Sequence, residues 1–130
     1  MRDFGRGWPD SFGFFSSSIQ AERDNPYGVS KSLAENALRE WAERTGAQVA
    51  IFRLKNVFGK WCRPNYNSVV ATFCHNVARG LPILISDPAQ TIELVYVDDV
   101  IFAFMDCLDR PPHRVSIEMF LHRSSFLWEI

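Results

Sequence analysis

The segment from Asn25 to Gly46 limits the fold more than any other part of this 130-residue chain. Asn25 is a residue type that caps free N–H groups at a helix start, and Pro26 suits the first helical position because the donor it lacks has no partner there. A helix is therefore expected from Pro26 to Thr45, with Gly46 tolerating the positive φ of a helix end. Short apolar runs stand on either side. Gly13-Phe14-Phe15-Ser16-Ser17 passes into small polar residues, as a buried parallel strand does where its carboxyl end opens into a loop. Gln48-Val49-Ala50-Ile51-Phe52-Arg53 reads as a second strand. Strand, helix and strand joined by the brief turn Gly46-Ala47 imply parallel pairing through a right-handed crossover. Tyr27, Lys31, Ala34, Leu38 and Trp41 follow steps of four and three, so one helical stripe carries all five and is expected to face the protein. Glu35 with Arg39, and Glu40 with Arg44, are expected as i,i+4 pairs on the solvated side.

Beyond this unit a loop rich in Gly, Pro and Asn runs from Lys55 to Asn67. Ser68 to Arg79 reads as a second helix, with Val69, Val70, Phe73 and Val77 on its apolar side and Gly80 as its stop. Pro82 to Ile85 and Thr91 to Val97 read as strands around the turn Ser86-Asp87-Pro88. Asp98 is expected to cap a third helix reaching Leu108, which Arg110-Pro111-Pro112 terminates. Val115 to Leu121 suits strand or helix equally, and Ser124 to Ile130 receives no assignment. The expected organisation is a loop-like or non-native leader over 1–12, an α/β body over 13–112 and an unassigned tail over 113–130.

Composition narrows the functional classes. With 47% hydrophobic and 22% charged residues the chain has the balance of one globular domain. Fourteen Lys and Arg against fifteen Asp and Glu leave a net charge of −1, and only three of the basic residues are lysines, so no surface for a phosphate backbone and no nucleic-acid partner are expected. The longest apolar run, Val100 to Met105, is far below the roughly 18 residues that span a bilayer. Met1 to Phe15 lacks the apolar core of an export signal. Cys62, Cys74 and Cys107 are odd in number and form no C-x-x-C pair, which fits thiols in a reducing compartment. A cytoplasmic location without a membrane partner is expected. His75 has no second ligand one helical turn away, so no metal is expected.

Chemistry concentrates at Tyr27 and Lys31. On a helix these two residues point the same way about one turn apart, and an ammonium near a phenol favours the ionised form, which makes a tyrosine a working proton donor or acceptor. Ser16, Ser17 and Ser18 at the end of the preceding strand offer a hydroxyl to fix the oxygen that is protonated. On spacing alone, a core-edge tyrosine and a solvated lysine account for the pair just as well. The order of parts is more specific than the spacing.

That order resembles the second half of an extended short-chain dehydrogenase/reductase, of the NAD-dependent epimerase/dehydratase family. The resemblance runs from Phe14 to Leu108. Phe15-Ser16-Ser17-Ser18 resembles the family's strand bearing the catalytic hydroxyl, and Tyr27-Gly28-Val29-Ser30-Lys31 its Y-G-x-S-K. Arg53-Leu54-Lys55-Asn56-Val57-Phe58-Gly59 resembles R-x-x-N-V-[YF]-G, and Tyr96-Val97-Asp98-Asp99-Val100 resembles [YH]-V-D-D-V. Within the family, Gly59 to Asn76 is similar to bacterial capsule and O-antigen enzymes that reduce a UDP-linked 4-keto-2-acetamido-2,6-dideoxyhexose on the route to UDP-N-acetyl-L-fucosamine.

The resemblance implies a partial Rossmann-like parallel sheet with flanking helices, together with part of the small substrate-binding region. It implies NAD(P)H as cofactor and a UDP-linked 4-keto sugar as substrate, with a homodimer possible for the intact family. Tyr27 would give a proton to the alkoxide at C4, Ser18 would hold that oxygen, and Tyr27 and Lys31 would contact the cofactor at the nicotinamide ribose. Asn56, Arg63, Asn65 and Asn67 would face the sugar or its diphosphate. Ser18 is followed by Ile19 and Gln20 where a dehydratase carries an acidic pair, so reduction or epimerisation is expected over dehydration. No G-x-x-G-x-x-G precedes Ser16, and that motif is what lets a backbone approach a pyrophosphate. The chain is accordingly expected to be an internal fragment, inactive alone and binding little or no NAD(P)H. The alternatives are a fragment of a nucleotide-sugar epimerase, and a non-catalytic remnant or interaction module.

Overall fold

The computed structural model describes residues 12–119 and 126–129. They fold as two compact units, the first drawn from Met1–Leu54 and Met105–Phe120, the second from Lys55–Phe104 and Leu121–Ile130.

In the first unit, β1 (Phe12–Ser18) is followed by a 3-10 turn (Ile19–Glu22), then α1 (Pro26–Thr45) and β2 (Gln48–Leu54). The helix bounds are set as the local chemistry requires. Asn25 Oδ1 accepts a hydrogen bond from Gly28 N at 2.8 Å, Pro26 occupies the first turn, and Gly46 closes the helix at φ 73° with its N–H donating to Ala42 O. β1 pairs parallel with β2, Phe15 opposite Ile51 and Ser17 opposite Arg53. The late strand β5 (Ser116–Met119) adds to the other edge of β2, also parallel, so β2 is central. Its Val49, Ala50, Ile51 and Phe52 are all buried, the near-continuous apolar run of a strand covered on both faces. On one face Val49 and Ile51 form a core with Ala42 of α1, backed by Phe15, Leu38, Trp41 and Val115. On the other the rings of Phe14 and Phe52 lie 5.0 Å apart.

Two expectations for α1 change. The fully buried line along the helix is Gly28, Glu35 and Ala42, at steps of seven, with Leu38 and Trp41 packing beside it and Tyr27 still 50% exposed. Glu35, expected on the solvated side, is 1% exposed: it does pair with Arg39, at 3.4 Å, but its stronger partner is Arg53 on β2.

The second unit holds β3 (Asn56–Phe58), α2 (Val69–Ala78), β4 (Thr91–Tyr96) and β6 (Phe126–Glu129), together with the start of α3 (Val97–Asp109). β3 runs parallel to β4, and β6 antiparallel to it. Among the described residues Leu94, Val95 and Val100 are buried in it, and the rings of Phe58 and Tyr96 meet at 5.4 Å. Gly59 follows at φ 135°, where a β-carbon would run into the Tyr96 ring and Val97. Ser68 caps α2, its Oγ accepting from Ala71 N.

Pro82 to Ile85 is not a strand. Leu81 N donates to Asn76 O and Asn76 Nδ2 to Pro82 O, which ties this stretch to the end of α2 in place of a sheet, and Leu84 is left 87% exposed. Asp98 does not cap α3 either: the helix begins at Val97, and Asp98 sits in its first turn, where a negative charge suits the helix dipole, paired with Lys60 at 3.0 Å. β5 and β6 both fall in the stretch left unassigned above. The leader expected over 1–12 lies outside the described residues but for Phe12, which opens β1. No helix among the described residues is long and apolar enough to cross a membrane.

Candidate active site

Strand alternation separates the three serines at the carboxyl end of β1. Ser17 is buried and donates through Oγ to Glu35 Oε1 at 2.6 Å, facing α1. Ser18 ends the strand and caps the 3-10 turn, its Oγ accepting from Gln20 N at 3.2 Å. Ser16 offers its backbone carbonyl, to which Lys31 Nζ donates at 3.1 Å.

That bond brings the amine to the strand end. Lys31 Nζ stands 5.2 Å from the centroid of the Phe15 ring and 5.6 Å from that of Tyr27, both within cation–π range. Tyr27, one turn earlier on α1, keeps half its surface open to solvent. Between them Gly28 is buried because α1 begins hard against the 3-10 turn: a β-carbon there would overlap the carbonyl oxygens of Gln20 and Arg23. Tyr27, Lys31 and the carboxyl end of β1 are thus brought together within one unit, as the spacing led one to expect.

Behind them lies a network of charges. Arg53 grips Glu35 with two parallel hydrogen bonds, Nε to Oε1 at 2.9 Å and Nη2 to Oε2 at 2.7 Å, and reaches Glu22 of the 3-10 turn through Nη1 at 2.6 Å. Burial pushes the Glu35 carboxyl up, but the bonds from Arg53 and Ser17 and the charges of Arg53 and Arg39 outweigh it and hold the group below the usual carboxylate range. The hydrogen bonds to Glu35 in turn raise Arg53. Neither residue was placed in the site by the sequence reading. The available signal was Arg53 itself, which shares with Val49 and Ile51 the strand face toward α1 and there requires an anionic partner.

The other expected site residues lie in the second unit. Asn56, on β3, is exposed and donates through Nδ2 to Glu93 O at 3.1 Å. Arg63, Asn65 and Asn67 are exposed in the loop before α2. Asn65 takes a left-handed conformation at φ 56°, its N–H donating to Thr72 Oγ1 at 2.9 Å.

The strand, helix and strand that carry these residues fall within a stretch that matches a known family. The model of the NAD dependent epimerase/dehydratase family matches residues 9–118. The chain belongs to this family. It is 58% identical over 95 residues to the UDP-2-acetamido-2,6-beta-L-arabino-hexul-4-ose reductase of Pseudomonas aeruginosa, a match covering 73% of this chain and 26% of that protein. It is 33% identical over 107 residues to the dTDP-L-rhamnose 4-epimerase of Burkholderia thailandensis, covering 75% of this chain and 29% of that one. Among solved structures, the capsular polysaccharide assembling protein CapF from Staphylococcus aureus superposes with a TM-score of 0.79 at 42% identity, over 89% of this chain and 32% of CapF. The UDP-glucose 4-epimerase of Thermotoga maritima, solved with UDP-glucose, gives 0.72 at 26% identity, over 83% of this chain and 41% of that one. The chain therefore spans about a quarter to two fifths of the length of these relatives. Its parallel sheet and crossover helix are the Rossmann-like α/β fold of the family.

Proposed function

We propose that this chain carries the proton-transfer end of a nucleotide-sugar 4-keto reductase that uses NAD(P)H. The reading is carried by one observation: Lys31 is held by the Ser16 carbonyl where its ammonium stands beside the half-open ring of Tyr27. Tyr27 gives its phenolic proton to the oxygen at C4 of the sugar, so that a C=O becomes a CH–OH. Lys31 supplies the positive charge that supports this transfer. Ser18, its Oγ accepting from Gln20 N, holds the same sugar oxygen by a hydrogen bond from its hydroxyl, which keeps its proton. The cofactor suits these residues: Lys31 spends one of three N–H donors on Ser16, and the others, with the Tyr27 hydroxyl, fit the hydroxyls of a nicotinamide ribose. When bound, the nicotinamide supplies the hydride to C4 and is oxidised to NAD(P)+.

Asn56, Arg63, Asn65 and Asn67 serve the UDP-sugar, Arg63 through a guanidinium fork that matches phosphate oxygens. The 58% identity to the Pseudomonas reductase, against 33% to the rhamnose epimerase, supports reduction over epimerisation. A UDP-linked 4-keto-2-acetamido-2,6-dideoxyhexose is then the substrate, the step belongs to surface polysaccharide precursor synthesis, and it takes place in the cytoplasm, where both soluble co-substrates are found. The test is a chimaera in which the matching 95 residues of the Pseudomonas reductase are replaced by those of this chain. It is expected to oxidise NAD(P)H in the presence of that sugar. A folded chimaera that binds the sugar without oxidising NAD(P)H, or that only interconverts epimers, overturns the reading.

A further inference from the structure

We propose that Glu35 is the positioning residue of the Tyr27–Lys31 pair: its buried carboxylate clamps the carboxyl end of β1 to α1 and so fixes where the lysine stands beside the tyrosine. This rests on the reading of Tyr27 and Lys31 as the proton-transfer pair.

The two halves of α1 are held by different means. Toward its carboxyl end Leu38, Trp41 and Ala42 pack on Val49, Ile51 and Phe15. Toward its amino end the one fully buried residue before Glu35 is Gly28, which has no side chain. Apolar side-chain packing therefore does little to set the angle of the segment that bears Tyr27 and Lys31; Gly28 seats it on the 3-10 turn, and the freedom that is left is taken up by polar contacts.

They form two adjacent rungs. Lys31 and Glu35 are one helical turn apart on α1, Ser16 and Ser17 are consecutive on β1, and Lys31 Nζ donates to Ser16 O while Ser17 Oγ donates to Glu35 Oε1. Arg53 braces the second rung. It lies opposite Ser17 in the parallel register, and its fork engages both oxygens of Glu35, so the carboxylate cannot turn away from the strand. Its remaining nitrogen holds Glu22, in the turn that begins directly after Ser18. One carboxylate thereby joins β1, β2 and α1 and, through Arg53, the turn next to the remaining serine. A buried ion pair stabilises no better than well-packed apolar side chains of similar volume. What apolar side chains lack is direction: the bond from Ser17 holds α1 against β1 at the rung beside the Ser16 carbonyl on which Lys31 is hung.

The experiment is NMR of the full 130-residue chain at neutral pH, following the NOEs between the Lys31 ε-methylene and the rings of Phe15 and Tyr27. Glu35→Gln is expected to lose these NOEs while those among Ala42, Trp41, Val49 and Ile51 persist. Ser17→Ala leaves the Arg53–Glu35 pair intact, removes only the strand side of the rung, and is expected to give the same loss; it decides the matter if the Glu35 variant does not fold. Leu38→Ala loosens the core without touching the clamp and is expected to keep the NOEs. The proposal is overturned if the unaltered chain lacks them, if Ser17→Ala or a folded Glu35→Gln keeps them, or if Leu38→Ala loses them as fully. None of these readouts involves substrate, so a clamp that fails leaves Tyr27 as proton donor open to its own kinetic test, and the reverse holds equally.

Discussion

Gly28→Ala sets two physical effects against each other with opposite signs. In an exposed helix the change stabilises by about 1 kcal/mol, because alanine loses less backbone entropy on folding. Here the added β-carbon would stand less than 3.0 Å from the carbonyl oxygens of both Gln20 and Arg23, closer than β-carbons are found. Both obstacles are backbone, so neither can swing aside, and α1 must lift from the 3-10 turn. Overpacking of this kind costs about 1–3 kcal/mol. The lift also strains the bond from Gly28 N to Asn25 Oδ1, a cap worth about 1 kcal/mol. The sum favours a net loss of about 2 kcal/mol. With a urea dependence of about 1–3 kcal/mol per molar for a chain of this size, the unfolding midpoint should fall by roughly 1 M. Tryptophan fluorescence reports it, since Trp41 lies against the first unit's core. A midpoint that is unchanged or higher would mean that the start of α1 is not seated on the turn, and the placement of Tyr27 argued above would go with it.

Two further predictions concern stability. Ile51→Ala empties the centre of the first unit's core, where the side chain is fully buried, and should cost about 2–5 kcal/mol by the same urea measurement. The Glu35 carboxyl is held below its ordinary value in the folded chain, so its stabilising contribution is complete above the unfolded value of about 4.3 and is lost as pH falls through the lowered folded one. The midpoints of the unaltered chain and of Glu35→Gln should therefore draw together as pH falls from the unfolded value of about 4.3 through the lowered folded one; curves that stay parallel into acid contradict the depressed carboxyl.

How far the sequence foretold this molecule depends on the range of the forces involved. α1 was legible to the residue, because Asn25, Pro26 and Gly46 act on backbone groups within a turn of themselves. β2 and α2 were legible for a related reason, each having its own periodicity and bounds. Pro82 to Ile85 was misread because an apolar run with a turn after it looks like a strand, whereas pairing needs a partner, and Asn76 captured the stretch first. Glu35 was misread because i,i+4 spacing to Arg39 is what a solvated pair also shows. Its burial is decided by Arg53, 18 residues away on β2, whose position emerges only once the crossover is built. The same holds within the site. Tyr27 and Lys31 were found because their relation lies within one helix, while the distinct uses of Ser16, Ser17 and Ser18 depend on which face of β1 meets α1.

The account stands on Tyr27 as the source of the proton. Its most direct test is Tyr27→Phe in the active chimaera, with kcat and KM for the UDP-linked 4-keto sugar measured separately. Removing the hydroxyl while keeping the ring should lower kcat by at least about a hundredfold and leave KM nearly unchanged. A kcat equal to that of the unsubstituted chimaera would show that the proton comes from another group.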